Sequence, residues 1–320
     1  MKVYSYILFF LVFISCESPQ KEVNTWDSIS NSKLFSLNDS LIQTYDLSGE
    51  IVSSIPKKEY NRIAILNTPF YAYFSSIAKK KVVGVFNKSR LRQHYGNFES
   101  LGDGAEIDLE KLIAVQPDLI ICNSYQLDVI KSLDLPKLVI DEYLENGIQR
   151  RRSFYQIAGA VSNKLTEAKV AANNPRTLIN EFPSLNKTVL KLDNFGGEYF
   201  KPGEYTYIAE IVRYAGGELM TVEGKSESVK IPQENAIVDL ANAEYLIFMD
   251  WELSKEGLMD RLSPILLKNH PKKLIYCNTS QSNYFFHSLV NSRLIINDLN
   301  SILSGEKVKG GIFELINLEE

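Results

Sequence analysis

Short apolar strands alternate with helical segments through most of this chain, and the alternation recurs at a fixed interval. Arg62-Ile63-Ala64-Ile65-Leu66 reads as a strand, Pro69 to Ala78 as a helix with proline in its first turn, and Val82 to Phe86 as a second strand. Asp108 caps the helix DLEKLIAV, which runs through Pro117 into the strand Asp118-Leu119-Ile120-Ile121, and Lys137 to Asp141 adds another strand. The order then returns: strand Thr188 to Leu192, amphipathic helix Tyr205 to Tyr214, helix Gln233 to Ala241 and strand Tyr245 to Met249. Arg62 precedes Thr188 by 126 positions, and Pro117 precedes Ala243 by the same 126. Continuous apolar strands separated by helices call for parallel sheets covered on both faces, and the equal offsets favour two similar α/β lobes over one doubly wound sheet.

Asn146 to Phe182 joins the two halves with Ile148, Phe154, Ile157, Ala158, Val161, Leu165, Ala168 and Leu178 at helical spacing. A long helical bridge over 146–183 is expected, in two segments because Gly159 and Pro175 weaken a single rod. Residues 34–145 then form an N-terminal lobe, with one or two added edge strands between Leu34 and Ile55, and 184–320 a C-terminal lobe. The bridge is expected to limit movement between them.

The start of the chain sets the compartment. MKVYSYILFFLVFISC carries Lys2, then an unbroken apolar run too short to span a bilayer, then Ser15 before Cys16. Residues 1–15 read as a signal peptide. The junction resembles the lipobox of bacterial lipoproteins, although Phe13 replaces the usual leucine; the resemblance implies that Cys16 is lipidated and that the polar stretch 16–33 tethers the body to the membrane. The expected location is periplasmic, in the cell envelope, with membrane contact through the lipid anchor only.

A net charge of −4, from 35 Lys and Arg against 39 Asp and Glu, offers no general field for nucleic acid. Cys122 and Cys277 sit in apolar strands and read as buried thiols, and none of the three cysteines has a zinc spacing. His94, His270 and His287 are too scattered to propose a metal site. No dinucleotide fingerprint, phosphate loop, nucleophile elbow or zinc-protease motif occurs, so no enzyme activity and no intrinsic cofactor are expected.

The segments RIAILNTPFYAYFSSIAKKKVVGV, SLGDGAEIDLEKLIAVQPDLII and KPGEYTYIAEIVRYAGGE, in this order, resemble the bacterial periplasmic binding proteins for iron complexes and cobalamin that serve ABC importers. The resemblance covers Arg62 to Leu303. It implies two Rossmann-like lobes with parallel central sheets, a ligand cleft between them, and partnership of a monomer with an ABC permease and its ATPase. The implied ligand is an iron chelate, either a ferric siderophore or haem; the alternatives are cobalamin, or a non-transport lipoprotein with a degenerate cleft.

In open α/β sheets ligands sit beyond the strand C-termini, and the loops there are rich in aromatic residues. Phe70, Tyr71, Tyr95, Tyr125, Tyr199, Phe200, Tyr205 and Trp251 are the expected flat faces. Arg92, His94 and Lys201 are the expected charge partners, and Asn123 a polar contact. The family further implies one permease-docking carboxylate on each lobe. In the first this is Glu110 of DLEKL; the lobe offset lands on Ala236 in the second, which leaves Glu234 as the substitute.

Overall fold

The computed structural model describes residues 32–94, 96–174, 181–195, 197–250 and 273–317, with the backbone alone for 92–94. Its first strands, β1 (Phe35–Leu37), β2 (Leu41–Tyr45) and β3 (Ile51–Pro56), form an antiparallel sheet of their own. They do not extend the lobe's main sheet as edge strands. The hydroxyl of Ser53 on β3 instead accepts the Val139 N–H at 3.0 Å, which covers an outer strand of that sheet.

The main N-terminal sheet contains β4 (Ile63–Ile65), β5 (Val82–Val85), β6 (Glu99–Ser100), β7 (Leu119–Cys122) and β8 (Lys137–Val139), all parallel, in the order β6-β5-β4-β7-β8. Continuous apolar runs suit these strands because alternate residues enter different cores. Ile63, Ile65, Leu119 and Ile121 pack on one face; Ala64, Leu66, Ile120 and Cys122 pack on the other. Helices α1 (Tyr71–Ile77), α2 (Leu109–Ala114) and α3 (Ser124–Ile130) connect them.

The C-terminal half contains β9 (Lys187–Lys191), β10 (Asp193–Phe195), β11 (Glu198–Lys201), β12 (Gly217–Leu219), β13 (Val229–Ile231), β14 (Tyr245–Asp250), β15 (Lys273–Asn278) and β16 (Glu314–Asn317). The main sheet has the order β12-β9-β14-β15-β16, with only β16 antiparallel. Here β9 lies between β12 and β14, as β4 lies between β5 and β7 in the first sheet. The register repeats as well: Ile63 pairs with Leu119, and the residues 126 further on, Val189 and Tyr245, pair with each other. Strands β10, β11 and β13 make a separate antiparallel sheet where the sequence suggested an aromatic cleft loop.

Between the halves, α4 (Ile148–Arg151), a 3-10 turn (Arg152–Phe154) and α5 (Tyr155–Ser162) run on without interruption, followed by α6 (Leu165–Ala172). Ile148 belongs to the C-terminal core, whereas Phe154, Ile157 and Val161 belong to the N-terminal one. The break in this stretch is not at Gly159. It falls at Asn163, which takes a left-handed φ of 56° and closes α5. Gly159 serves another purpose: a Cβ there would lie 2.6 Å from the Cβ of Ala168, so the glycine lets α6 pack back against α5. Pro175 lies outside the described residues.

Helices α7 (Tyr207–Tyr214), α8 (Gln233–Asn242), α9 (Tyr284–Val290) and α10 (Ser292–Ser304) complete the C-terminal half. Phe286 and Leu289 of α9 join the N-terminal core, so the two halves share packed apolar surface. Among the described residues no helix is long and apolar enough to cross a membrane, and no three His, Cys, Asp or Glu side chains converge as a metal site.

Cys122 and Cys277 are both fully buried, and burial pushes each thiol up to about 12. Because the thiolate is the nucleophile, neither cysteine should react with Ellman's reagent at pH 8 in the folded protein, and both should react in denaturant. Stoichiometric labelling of the native protein would contradict this packing.

Candidate functional site

Three neighbouring N-terminal strands end at one buried carboxylate. Asn67 follows β4, Asn123 follows β7, and Glu142 opens the 3-10 turn after β8. The Asn67 side-chain amide donates to Glu142 Oε2 in a short hydrogen bond and to the Ile140 carbonyl at 3.1 Å. The Asn123 amide donates to the same two acceptors, at 3.5 Å and 3.1 Å. Gln126 completes the arrangement. Its Oε1 accepts the Asn123 N–H at 2.9 Å as part of a capping box for α3, and its Nε2 donates to the Leu66 carbonyl at 3.1 Å. Burial raises the Glu142 carboxyl above its ordinary range, against the opposing effects of the Asn67 hydrogen bond and the Arg151 charge.

The residues flanking these strand ends carry the exposed aromatic surface. Tyr125 is 70% exposed and Tyr143 is 52% exposed. Surrounding protein and the carboxylates of Glu142 and Asp141 raise the Tyr125 phenol, while Arg90 lowers it. Partial desolvation by the surrounding protein, then Asp141, Tyr125 and Glu142, push the Tyr143 phenol up to about 12. The two phenols, Arg90 and the two acids thus share one electrostatic neighbourhood.

Directly after Tyr143 the chain meets the C-terminal half. A cavity of about 600 Å³ has Leu144, Glu145, Gly147 and Arg150 on one side, Tyr205, Thr206, Glu210 and Arg213 on the other, and Lys33, Leu34 and Leu47 at its border. Glu210 Oε2 accepts the Ile148 N–H at 2.8 Å, tying α7 to the start of α4. Behind it the Arg151 guanidinium lies 3.9 Å from the centre of the Tyr207 ring, the Tyr207 hydroxyl donates to Ser292 Oγ at 3.0 Å, and the Tyr73 hydroxyl donates to the Arg151 carbonyl at 2.9 Å.

Several residues expected at the cleft are core residues in this arrangement. Phe70 and Tyr71 are fully buried; Phe70 packs on Tyr73, Phe74 and Phe154, and Tyr71 sits edge-on to Phe98 with centroids 5.0 Å apart. Tyr199 points into the core on one face of the C-terminal sheet. Asn123 is buried and committed to its cap and to Glu142. Lys201 is engaged by Asp239 at 2.8 Å, in a pair that is itself mostly buried, rather than held out for a ligand. Phe200 is half-buried beside Phe195, while Tyr205 is exposed and lines the cavity. Arg92 and His94 fall on the 3-10 stretch Lys88–His94; their side chains, together with Tyr95, Trp251 and Cys16, lie outside the described residues.

Glu110 and Glu234 are both exposed, and each is the second residue of its helix, α2 and α8. Sequence reasoning missed Glu142, Tyr143, Arg150 and Glu210. Glu142 and Tyr143 stood between the strand read to Asp141 and the bridge read from Asn146, with Arg150 inside the bridge, and no local pattern distinguishes a carboxylate that closes three strand ends from one at the start of a helix.

A family model described as periplasmic binding protein matches residues 70–263, more than half of the chain. Among solved structures, a periplasmic haem-binding protein from Pseudomonas aeruginosa is similar with a TM-score of 0.62 at 14% identity, over 80% of this chain and 98% of that one. An ABC transporter substrate-binding protein from Listeria monocytogenes EGD-e gives 0.56 at 17% identity, over 78% and 100%. The siderophore-binding protein BauB, bound to ferric iron and two acinetobactin molecules, gives 0.56 at 15% identity, over 83% and 100%. No curated protein matches the sequence.

Proposed function

Because this chain belongs to the periplasmic binding protein family, we propose that it is the substrate-binding component of an ABC importer and captures an iron chelate, a ferric siderophore or haem, between its two halves. The observation that carries the reading is the pair of exposed phenols, Tyr125 and Tyr143, just beyond the C-terminal ends of β7 and β8, with the charge of Arg90 acting on Tyr125; a separate cavity of about 600 Å³, lined from Leu144 onward and by α7, opens between the halves. Broad aromatic faces with polar tips suit a large planar or catechol-bearing ligand. The similarity to haem- and siderophore-binding structures supports the same class. A lipid on Cys16 would hold the protein, as a monomer, at the periplasmic face of the membrane, and Glu110 and Glu234 would meet the permease.

Purified protein incubated with hemin, ferric siderophores and cyanocobalamin, then separated and read by absorbance and mass spectrometry, tests the ligand class. Retention of an iron chelate is expected; retention of cyanocobalamin alone would move the assignment to cobalamin. Replacing Tyr125 and Tyr143 together by alanine should weaken chelate binding at least tenfold, on the order of 1.4 kcal/mol. Affinity within twofold of wild type would remove the phenols from the site.

A further inference from the structure

Tyr125 stands in the first turn of α3 and Tyr143 in the 3-10 turn after β8, and exposure alone gains little: a ligand has to find both rings already placed. The structure shows what ties these two turns together. Tyr125 is two residues beyond Asn123, Tyr143 is the residue after Glu142, and both asparagine amides from the neighbouring strand ends converge on Glu142 Oε2. We propose that Glu142 is the positioning residue of the ligand site, the buried acceptor that locks the ends of β4, β7 and β8 and thereby fixes the two phenols relative to each other. The assignment rests on the proposed reading of the site and adds to it the residue that orders it.

Glutamine at 142 is close in shape but not equivalent. A glutamine carbonyl oxygen in the place of Oε2 could accept the same two amides, but without the charge that strengthens both bonds and couples them to pH, and with a donor amide where Oε1 stood. The charge is costly where it lies, since burial raises this carboxyl. The groups whose charge acts with that of Glu142 are Arg151 on α4, Asp141 before it in the chain, Tyr73 on α1, Tyr125 on α3 and Tyr143 in its own turn. Arg90 acts on Tyr125 with the opposite sign.

The test is fluorine NMR of the full chain labelled with 3-fluorotyrosine, with the two signals assigned through Tyr125→Phe and Tyr143→Phe. In the wild type both signals are expected to move together as pH falls through a midpoint above the usual glutamate range. In Glu142→Gln that shared response should vanish, both signals should change position or broaden, and affinity for whichever of hemin, ferric desferrioxamine B or cyanocobalamin the wild type retains should fall at least fivefold, with no drop in the thermal midpoint. Should the shared pH response persist in Glu142→Gln, Asp141 would be its source and the assignment would be overturned. Unchanged signals with affinity within twofold of wild type would overturn it too. The wild-type titration needs no variant to fold. Failure of the wild type to bind any of the three probes would count against the transport reading, while the fluorine signals still decide whether Glu142 sets the phenols.

Discussion

Phe154→Ala is expected to remove about 3–5 kcal/mol of stability, the usual cost of deleting a large aromatic side chain from a packed core. The ring is fully buried and joins three elements: its centroid lies 5.5 Å from that of Phe35 on β1, and 5.9 Å from those of both Phe70, in the turn before α1, and Tyr73 on α1. It stands in the 3-10 turn between α4 and α5, where the chain passes from one core to the other. Its ring neighbours Phe70 and Tyr73 pack edge-on to each other, and Tyr73 is held by its hydrogen bond to the Arg151 carbonyl, which limits how far they can move into the space. Against a typical total of about 5–15 kcal/mol, the loss would leave the protein marginal at 37 °C. Urea unfolding followed by circular dichroism measures it. A loss under about 1.5 kcal/mol would mean that the aromatic cluster collapses onto the vacancy, and that the join is softer than its geometry suggests.

On the proposed transport reading, reversing Glu110 and Glu234 together to lysine should reduce uptake to background while chelate affinity and fold are kept. Both carboxylates are exposed at the second position of helices that occupy equivalent places in the two halves, α2 before β7 and α8 before β14. An exposed charge there contributes only about 0.3–1 kcal/mol through the helix macrodipole. The start of α2 does not depend on Glu110, since the Asp108 side chain accepts the Lys111 N–H at 3.0 Å. A rim charge facing a partner's cation acts differently: reversal converts attraction to repulsion and slows or blocks docking. Uptake by whole cells and permease pull-down, beside a thermal midpoint and hemin titration, separate the two roles. Normal uptake by the double variant would reject docking, and parallel loss of midpoint and uptake would assign the acids to the helix starts.

The family and the paired lobes were legible in the sequence because each depends on local and periodic information. A strand buried on both faces must be apolar at every position, and Ile63 to Leu66 and Leu119 to Cys122 carry that pattern regardless of what lies beside them. The 126-residue repeat then carries one register over to the other, so that Ile63 with Leu119 implies Val189 with Tyr245. Which aromatic residues face a ligand is not a periodic property. Phe70 and Tyr71 look the same in sequence as Tyr125 and Tyr143, yet the first pair is covered by Phe154 and Phe98 arriving from distant parts of the chain, and the second pair is left open. Lys201 was a free cation until Asp239 was brought to 2.8 Å, and Glu142 became the central acceptor only when β4 placed Asn67, 75 positions away, beside it. Exposure and partnership are set by what the fold brings across such distances, and that is decided by tertiary packing alone.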